Sequence, residues 1–278
     1  MDLLKGLPDE VAKHLVEHSK GIIETDEYCE IHPRHPKLML PNGNLVCPVC
    51  YGETRDGEVR TAKSKEYYEN SVDGRRQYLK EQSIVSNKMI FDKGFKTFFT
   101  RNEHETKIRK EAESLVMEIA ASEPMNIYLQ GAPGSGKSHL SMAMLKNANS
   151  LANGKRCMFV NFPALQQKIR ASYNNNFSED NEGNYIQKMI NAEILVLDDI
   201  ASEVNPLAIS GKVSDFSARI LYSVMDARSE LKPTIITSNI SWNELQKVID
   251  PRVASRMSYR LRVLSFYEIK DKRKNKVG

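Results

Sequence analysis

Asn126-Ile-Tyr-Leu-Gln130 runs directly into Gly131-Ala-Pro-Gly-Ser-Gly-Lys137-Ser138, and the reading of this stretch decides the fold. A short apolar run closed by glycine reads as a buried strand. The eight positions that follow satisfy G-x-x-x-x-G-K-[ST] and open a helix, the context that gives this motif its meaning. Glycines there let backbone N–H groups converge on phosphate oxygens, and the helix N-terminus adds its positive dipole end. The expected ligand is ATP, cradled by Gly131, Ala132, Pro133, Gly134, Ser135, Gly136, Lys137, Ser138 and His139. Lys137 is placed to neutralise the β and γ phosphates, and Ser138 to help hold Mg²⁺.

Working outward, a helix is expected from Ser138 to Leu151, then strands at Met158–Phe162, Ile194–Leu197, Thr234–Asn239 and near Tyr259–Phe266. A helix lies between the third and fourth of the five strands, from Phe216 to Leu231, and another precedes the phosphate loop, from Glu103 to Ala121, stopped by Pro124. Alternation of short apolar strands with helices argues an α/β domain with a parallel five-stranded sheet. Ligands of such sheets bind at the carboxyl ends of the strands. Asp198 and Asp199 follow the apolar Ile194–Leu197 there. Asp198 is assigned to the Mg²⁺ shell, and Asp199 to orienting or activating water, with a helix cap as its alternative. Asn239, ending the next strand, is placed to reach the γ-phosphate or its water.

The N-terminal third has a different character. Leu3, Leu4, Leu7, Val11, Leu15 and Val16 recur at roughly helical spacing in an amphipathic segment. Cys29-Glu-Ile-His32 and Cys47-Pro-Val-Cys50 then form two ligand pairs, separated by a segment able to turn through Pro41-Asn-Gly-Asn44. Three clustered cysteines with a histidine suit structural Zn²⁺ held by Cys29, His32, Cys47 and Cys50, with His35 as an alternative to His32. Residues 53–90 are charged and without clear period, and read as the rest of the small domain running into a linker. The expected domains are therefore 1–90 and 91–278.

With 40 basic and 36 acidic residues in 278, the net charge of +4 does not announce a nucleic-acid binder. The Lys270–Lys276 segment is locally basic, and a solvated tail is the blander and preferred reading of it. No run of about 18 apolar residues appears, and the first thirty residues lack a signal-peptide pattern, so a cytoplasmic chain with no membrane partner is expected.

Gly131-Ala-Pro-Gly-Ser-Gly-Lys-Ser-His-Leu140, Leu195-Val-Leu-Asp-Asp-Ile200, Lys232-Pro-Thr-Ile-Ile-Thr-Ser-Asn239 and Arg252-Val-Ala-Ser-Arg-Met257 together resemble the AAA+ ATPase core over roughly 95–278. More narrowly, they resemble the bacterial and phage replicative helicase loaders of the DnaC/DnaI family. That resemblance implies self-assembly, with Arg256, or Arg252 as its alternative or helper, completing a neighbour's ATP site, and Arg273 sensing nucleotide. It implies a core without a separate lid domain, given the short stretch after Met257. It also implies a zinc-bearing N-terminal domain that grips a hexameric replicative helicase, and loading onto single-stranded DNA, for which Lys168, Arg170, Lys212 and Arg219 are contact candidates. Weak ATPase activity is expected, because Asp199 stands where many relatives have Glu. The alternative is an IstB-like ATPase regulating DNA transposition, similar in its core but not usually bearing such a zinc module.

Overall fold

The computed structural model describes residues 22–151, 154–173, 181–204 and 211–272. The amphipathic segment from Leu3 to Val16 and the sensing candidate Arg273 lie outside the described residues. The chain divides into two compact units, one ending at Asn70 and one beginning at Ser71.

In the first unit, β1 (Ile23–Tyr28), β2 (Pro36–Met39) and β3 (Leu45–Val46) form an antiparallel sheet in that order. The expected Asn-Gly turn joins the last two: Gly43 adopts φ 83°, and the Leu40 N–H donates to the Asn44 carbonyl at 2.9 Å. A helix, α1 (Pro48–Asn70), follows. It carries no apolar stripe, and Gly52 and Gly57 each disfavour helix by about 1 kcal/mol relative to Ala, so its sequence gave no helical signal.

The second unit opens with α2 (Val72–Gln82), capped by Ser71, whose Oγ accepts from the Gly74 N–H at 3.0 Å. This stretch was expected to be linker, but it buries Leu79 in the core of the second unit. Only Gly74 and Leu79 of α2 are buried, too few to create a period in the sequence.

The main sheet holds β4 (Asn126–Gln130), β5 (Cys157–Asn161), β6 (Ile194–Ile200), β7 (Thr234–Ser238) and β8 (Arg262–Ser265). All pairings are parallel and the order is β5-β6-β7-β4-β8. Alternation along the strands supplies both faces. Ile127, Leu129, Val196 and Ile235 pack with α3 (Glu103–Ala120) and α4 (Lys137–Ser150). Tyr128, Leu195, Leu197 and Ile236 pack with α5 (Phe162–Ser172), α6 (Glu182–Asn191), α7 (Asp215–Arg228), α8 (Trp242–Val248) and α9 (Pro251–Met257). The expected five-stranded parallel α/β core is thus present. No helix among them is long and apolar enough to cross a membrane.

Candidate functional site

β4, β6 and β7 are neighbours, so the loop after β4, the acids ending β6 and the Asn after β7 meet at one sheet end. Together they line a cleft of about 760 Å³. Two glycines of the loop are sterically required. A Cβ on Gly131 would lie 2.7 Å from Phe266 Cβ, and one on Gly134 would collide with the Asp271 carboxylate; both glycines also have positive φ. The segment after β8 is therefore laid against the phosphate loop, and the Lys272 N–H donates to the Gly134 carbonyl at 2.9 Å.

Lys137 is 7% exposed. Its Nζ donates to the carbonyls of Gly131 (2.6 Å) and Ala132 (3.0 Å) and to Asn239 Oδ1 (2.9 Å). Asn239 Nδ2 in turn donates to Asp199 Oδ1 at 3.0 Å. The loop lysine, the strand-end asparagine and the second acid are thus one connected set.

Two consecutive strand residues ordinarily face opposite sides of a sheet. Here Leu197 pairs with Ile236 but Ile200 with Ser238, so β6 carries one extra residue, and Asp199 (φ 62°) and Ala201 (φ 56°) are left-handed. This bulge re-aims the second acid so that both carboxylates serve one site. Thr237 holds it together: its hydroxyl donates to Asp198 Oδ1 at 2.8 Å and accepts from the Asp199 N–H at 2.9 Å. On the other side, Asn161 Nδ2 donates to Asp198 Oδ2 at 3.3 Å. Burial, and then the neighbouring Asp198, raise the Asp199 pKa above the ordinary carboxylate value. The helix-cap alternative for Asp199 does not apply, since Ser214 caps the next described helix, α7.

Thr237 and Asn161 were not singled out from sequence. Asn161 is the last residue of β5 and Thr237 the penultimate residue of β7, and a polar residue at the carboxyl end of an apolar strand was the available signal. Lys272 was missed too. Its ammonium pairs with the buried Glu105 carboxylate at 2.7 Å, donates to the Phe99 carbonyl at 2.8 Å and lies 3.9 Å from the Phe98 ring centre. His139 lines the cleft and pins the same wall: Nε2 donates to the Gly94 carbonyl at 3.0 Å, and its ring meets Phe98 edge-on. Burial lowers its pKa, favouring the neutral ring.

Ser138 lines the cleft with Asp198, so a hydroxyl and a carboxylate, both hard oxygen donors suited to Mg²⁺, share this space. Ile90, Phe98 and Phe99 line an apolar portion, suited to a flat ring.

The arginines lie elsewhere. Asn126 Nδ2, at the start of β4, donates to the Arg256 carbonyl (3.1 Å) and the Tyr259 carbonyl (3.2 Å). The phosphate loop leaves the opposite end of this strand, roughly 15 Å away by strand rise. Arg256 pairs with Asp226 at 2.8 Å, and Arg252 pairs with Asp250 at 2.9 Å while lying over the Tyr222 ring. Neither is brought to the loop of its own chain. Among the DNA candidates, Lys168 and Lys212 are exposed, while Arg170 and Arg219 flank the Phe216 ring and Arg219 also pairs with Glu182.

In the first unit the Cys29, His32, Cys47 and Cys50 ligand atoms all lie within 4.8 Å of one another. Cys29 Sγ is 3.7 Å from Cys50 Sγ, and His32 Nδ1 is 3.2–3.9 Å from the three sulfurs. A tetrahedron with 2.3 Å metal–sulfur bonds has edges of about 3.8 Å, so this Cys₃His group can hold zinc. His32 Nε2 faces Glu53 at 3.8 Å, the kind of carboxylate that orients a ligating ring. His35 is outside the ligand group; its carbonyl accepts from the Cys29 N–H.

The profile of the IstB-like ATP binding proteins matches residues 75–266. An insertion-sequence ATP-binding protein of Sinorhizobium fredii is 30% identical over 146 residues, which cover 50% of this chain and 44% of that protein. One from Geobacillus stearothermophilus, of insertion sequence IS5376, is 28% identical over 140 residues, 49% of each. The chain spans about half the length of these curated relatives. In fold, the second unit's architecture is similar to that of the DnaC helicase loader (TM-score 0.54, 22% identity, covering 66% of this chain and 100% of that one). DnaI is similar as well (TM-score 0.52, 19% identity, 66% and 95%).

Proposed function

The chain belongs to the IstB-like ATP-binding protein family, and from that premise we propose that this AAA+ protein is a nucleotide-switched ATPase that assembles on DNA and delivers a partner enzyme there, as a helper of transposition. One observation carries the assembly part: Arg256 stands at the far end of the sheet from its own phosphate loop, on a partly exposed surface. Such an arginine serves an ATP site only in a neighbouring copy, where an added cation stabilises transition-state charge.

In this reading the loop N–H groups and Lys137 bind the phosphates. Ser138 and Asp198 would hold Mg²⁺, which offsets phosphate charge when bound. Asp199, with its raised pKa, accepts a proton from the attacking water, and Asn239 orients that water while tying Lys137 to Asp199. The test uses Arg256→Ala in the full chain. ATP binding at high dilution should be unchanged, while hydrolysis that rises with protein concentration in the native chain should stay flat. Concentration-independent hydrolysis by the native chain would refute the shared site.

The sequence relatives favour a transposition partner. A second reading, delivery of a hexameric replicative helicase to single-stranded DNA, is favoured by the Cys₃His group, which resembles the zinc-bearing domain of DnaI-type loaders. Immobilised full chain with ATP separates them: retention of purified helicase and not of transposase would replace the first reading by the second.

A further inference from the structure

β5 lies at the edge of the main sheet, and a segment outside the named strands covers it. After α2, the Phe159 N–H donates to Ser83 Oγ (2.8 Å), the Ile84 N–H to the Phe159 carbonyl (2.8 Å) and the Asn161 N–H to the Ile84 carbonyl (2.7 Å). Ile84 pairs with Val160 in parallel and is buried in the core. Residues 83–86 thus complete the sheet edge, and they end on a residue of the nucleotide site: Ser86 Oγ donates to Asn161 Oδ1 at 2.7 Å.

The Asn161 amide is what makes this contact consequential. Its Oδ1 accepts from Ser86 Oγ and from the Ala164 N–H (3.2 Å), the cap of α5. With both donors on the oxygen, Nδ2 is directed to Asp198 Oδ2, while Thr237 holds Oδ1. The Asp198 carboxylate is clamped from both neighbouring strands. A flipped Asn161 amide would set oxygen against carboxylate oxygen, and without Ser86 the amide oxygen keeps one donor, the longer Ala164 contact, so the amide is held less firmly toward Asp198.

We propose that Ser86 is a positioning residue for Asp198, acting through Asn161, so that the segment leading in from the N-terminal unit sets the Mg²⁺ requirement of nucleotide binding. This rests on the reading of Asp198 as a metal-side acid. A partner that draws on residues 71–86 thereby gains a route to the nucleotide site.

The test titrates Mg²⁺ against binding of a fluorescent non-hydrolysable ATP analogue to the full chain, with a parallel measurement in EDTA. Ser86→Ala should melt no more than about 4 °C below native and keep its affinity in EDTA, yet need about three- to tenfold more Mg²⁺ for half-maximal enhancement, the effect of losing one ordinary hydrogen bond. Ser86→Thr should restore the native midpoint. Asp198→Asn is the control. If Asp198→Asn raises the midpoint and Ser86→Ala does not, the positioning role is wrong. If Asp198→Asn leaves it unchanged, the metal-side reading fails and takes the proposal with it. A Ser86→Ala loss of affinity equal with and without Mg²⁺ also overturns it, because a merely structural role predicts that pattern.

Discussion

Thr237→Val keeps the shape of a side chain that is 1% exposed and removes only its hydroxyl. That hydroxyl makes two bonds at the β6 bulge. The bond donated to the buried Asp198 carboxylate is charge-assisted, and such bonds contribute about 1.5–3 kcal/mol. The Asp199 N–H would lose its acceptor, at a cost of about 1 kcal/mol for a partly screened group. The expected loss is therefore about 3 kcal/mol. For a unit of this size that lowers the melting temperature by about 6–12 °C. Binding of ATP in EDTA should survive, since Lys137 and the loop are untouched, whereas the Mg²⁺-dependent increase in affinity should fall. Differential scanning calorimetry and the same analogue titration read both effects, and Thr237→Ser should recover most of each. A Thr237→Val protein that melts within about 2 °C of native and keeps its Mg²⁺ response would refute the claim that this hydroxyl holds the two acids in place.

Arg228 is fully buried and donates to the carbonyls of Met189 (2.9 Å), Ala192 (2.5 Å) and Pro233 (2.7 Å) and to Thr234 Oγ1 (3.1 Å), binding the end of α6 to the starts of β6 and β7. Arg228→Met removes a donor from three buried carbonyls, of which Pro233 keeps only a long bond from the Leu195 N–H, at about 1–3 kcal/mol each; relief of a guanidinium whose pKa burial pushes down to about 9 partly offsets this, so urea unfolding should show a net loss of about 3 kcal/mol. Asp199 has the opposite sign. A carboxyl harder to ionise folded than unfolded weighs against the native state above its folded pKa, and the penalty disappears as pH falls to the ordinary value of 3.8. Asp199→Asn should melt higher than native at neutral pH, with the gain shrinking on acidification and hydrolysis lost; a gain constant with pH would refute the electrostatic cause. Cys50→Ser should reduce tightly bound zinc, measured by plasma emission spectrometry, from one ion per chain to none, and limited proteolysis should then cleave residues 22–70 faster. His35→Ala should leave zinc content unchanged.

Local rules made the second unit readable because its strands are short apolar runs bounded by turn residues. Asn126–Gln130 was located to the residue, and α3, α4 and α7 to within a few. The site was legible where a motif is contiguous, as in the loop, or where polarity changes at a strand end, as at Asp198 and Asn239. It was not legible where contacts are distant in sequence. Lys272 meets Glu105 across 167 positions, and nothing local marks either residue. The β6 bulge likewise depends on register against β7, which no single strand encodes. Residues 53–82 failed differently: α1 has internal glycines and no apolar face, and α2 buries too little to be periodic.

The match that establishes the family begins at residue 75, beyond the Cys₃His group. Family membership therefore speaks for ATP binding and is silent on what the first unit holds. The shared core fold also does not choose a partner, since one fold hosts many functions. In the proposed reading, partner choice falls to residues outside the matched core. In this chain those include the zinc-capable unit up to Asn70, joined in sequence to α2 and then to the segment that reaches Asn161. Exchanging residues 1–70 for those of a relative with a known partner, while keeping 71–278, separates the two contributions. The chimera should take the donor's partner and keep this chain's Mg²⁺ midpoint. A chimera that kept the original partner would place recognition in the ATPase unit instead.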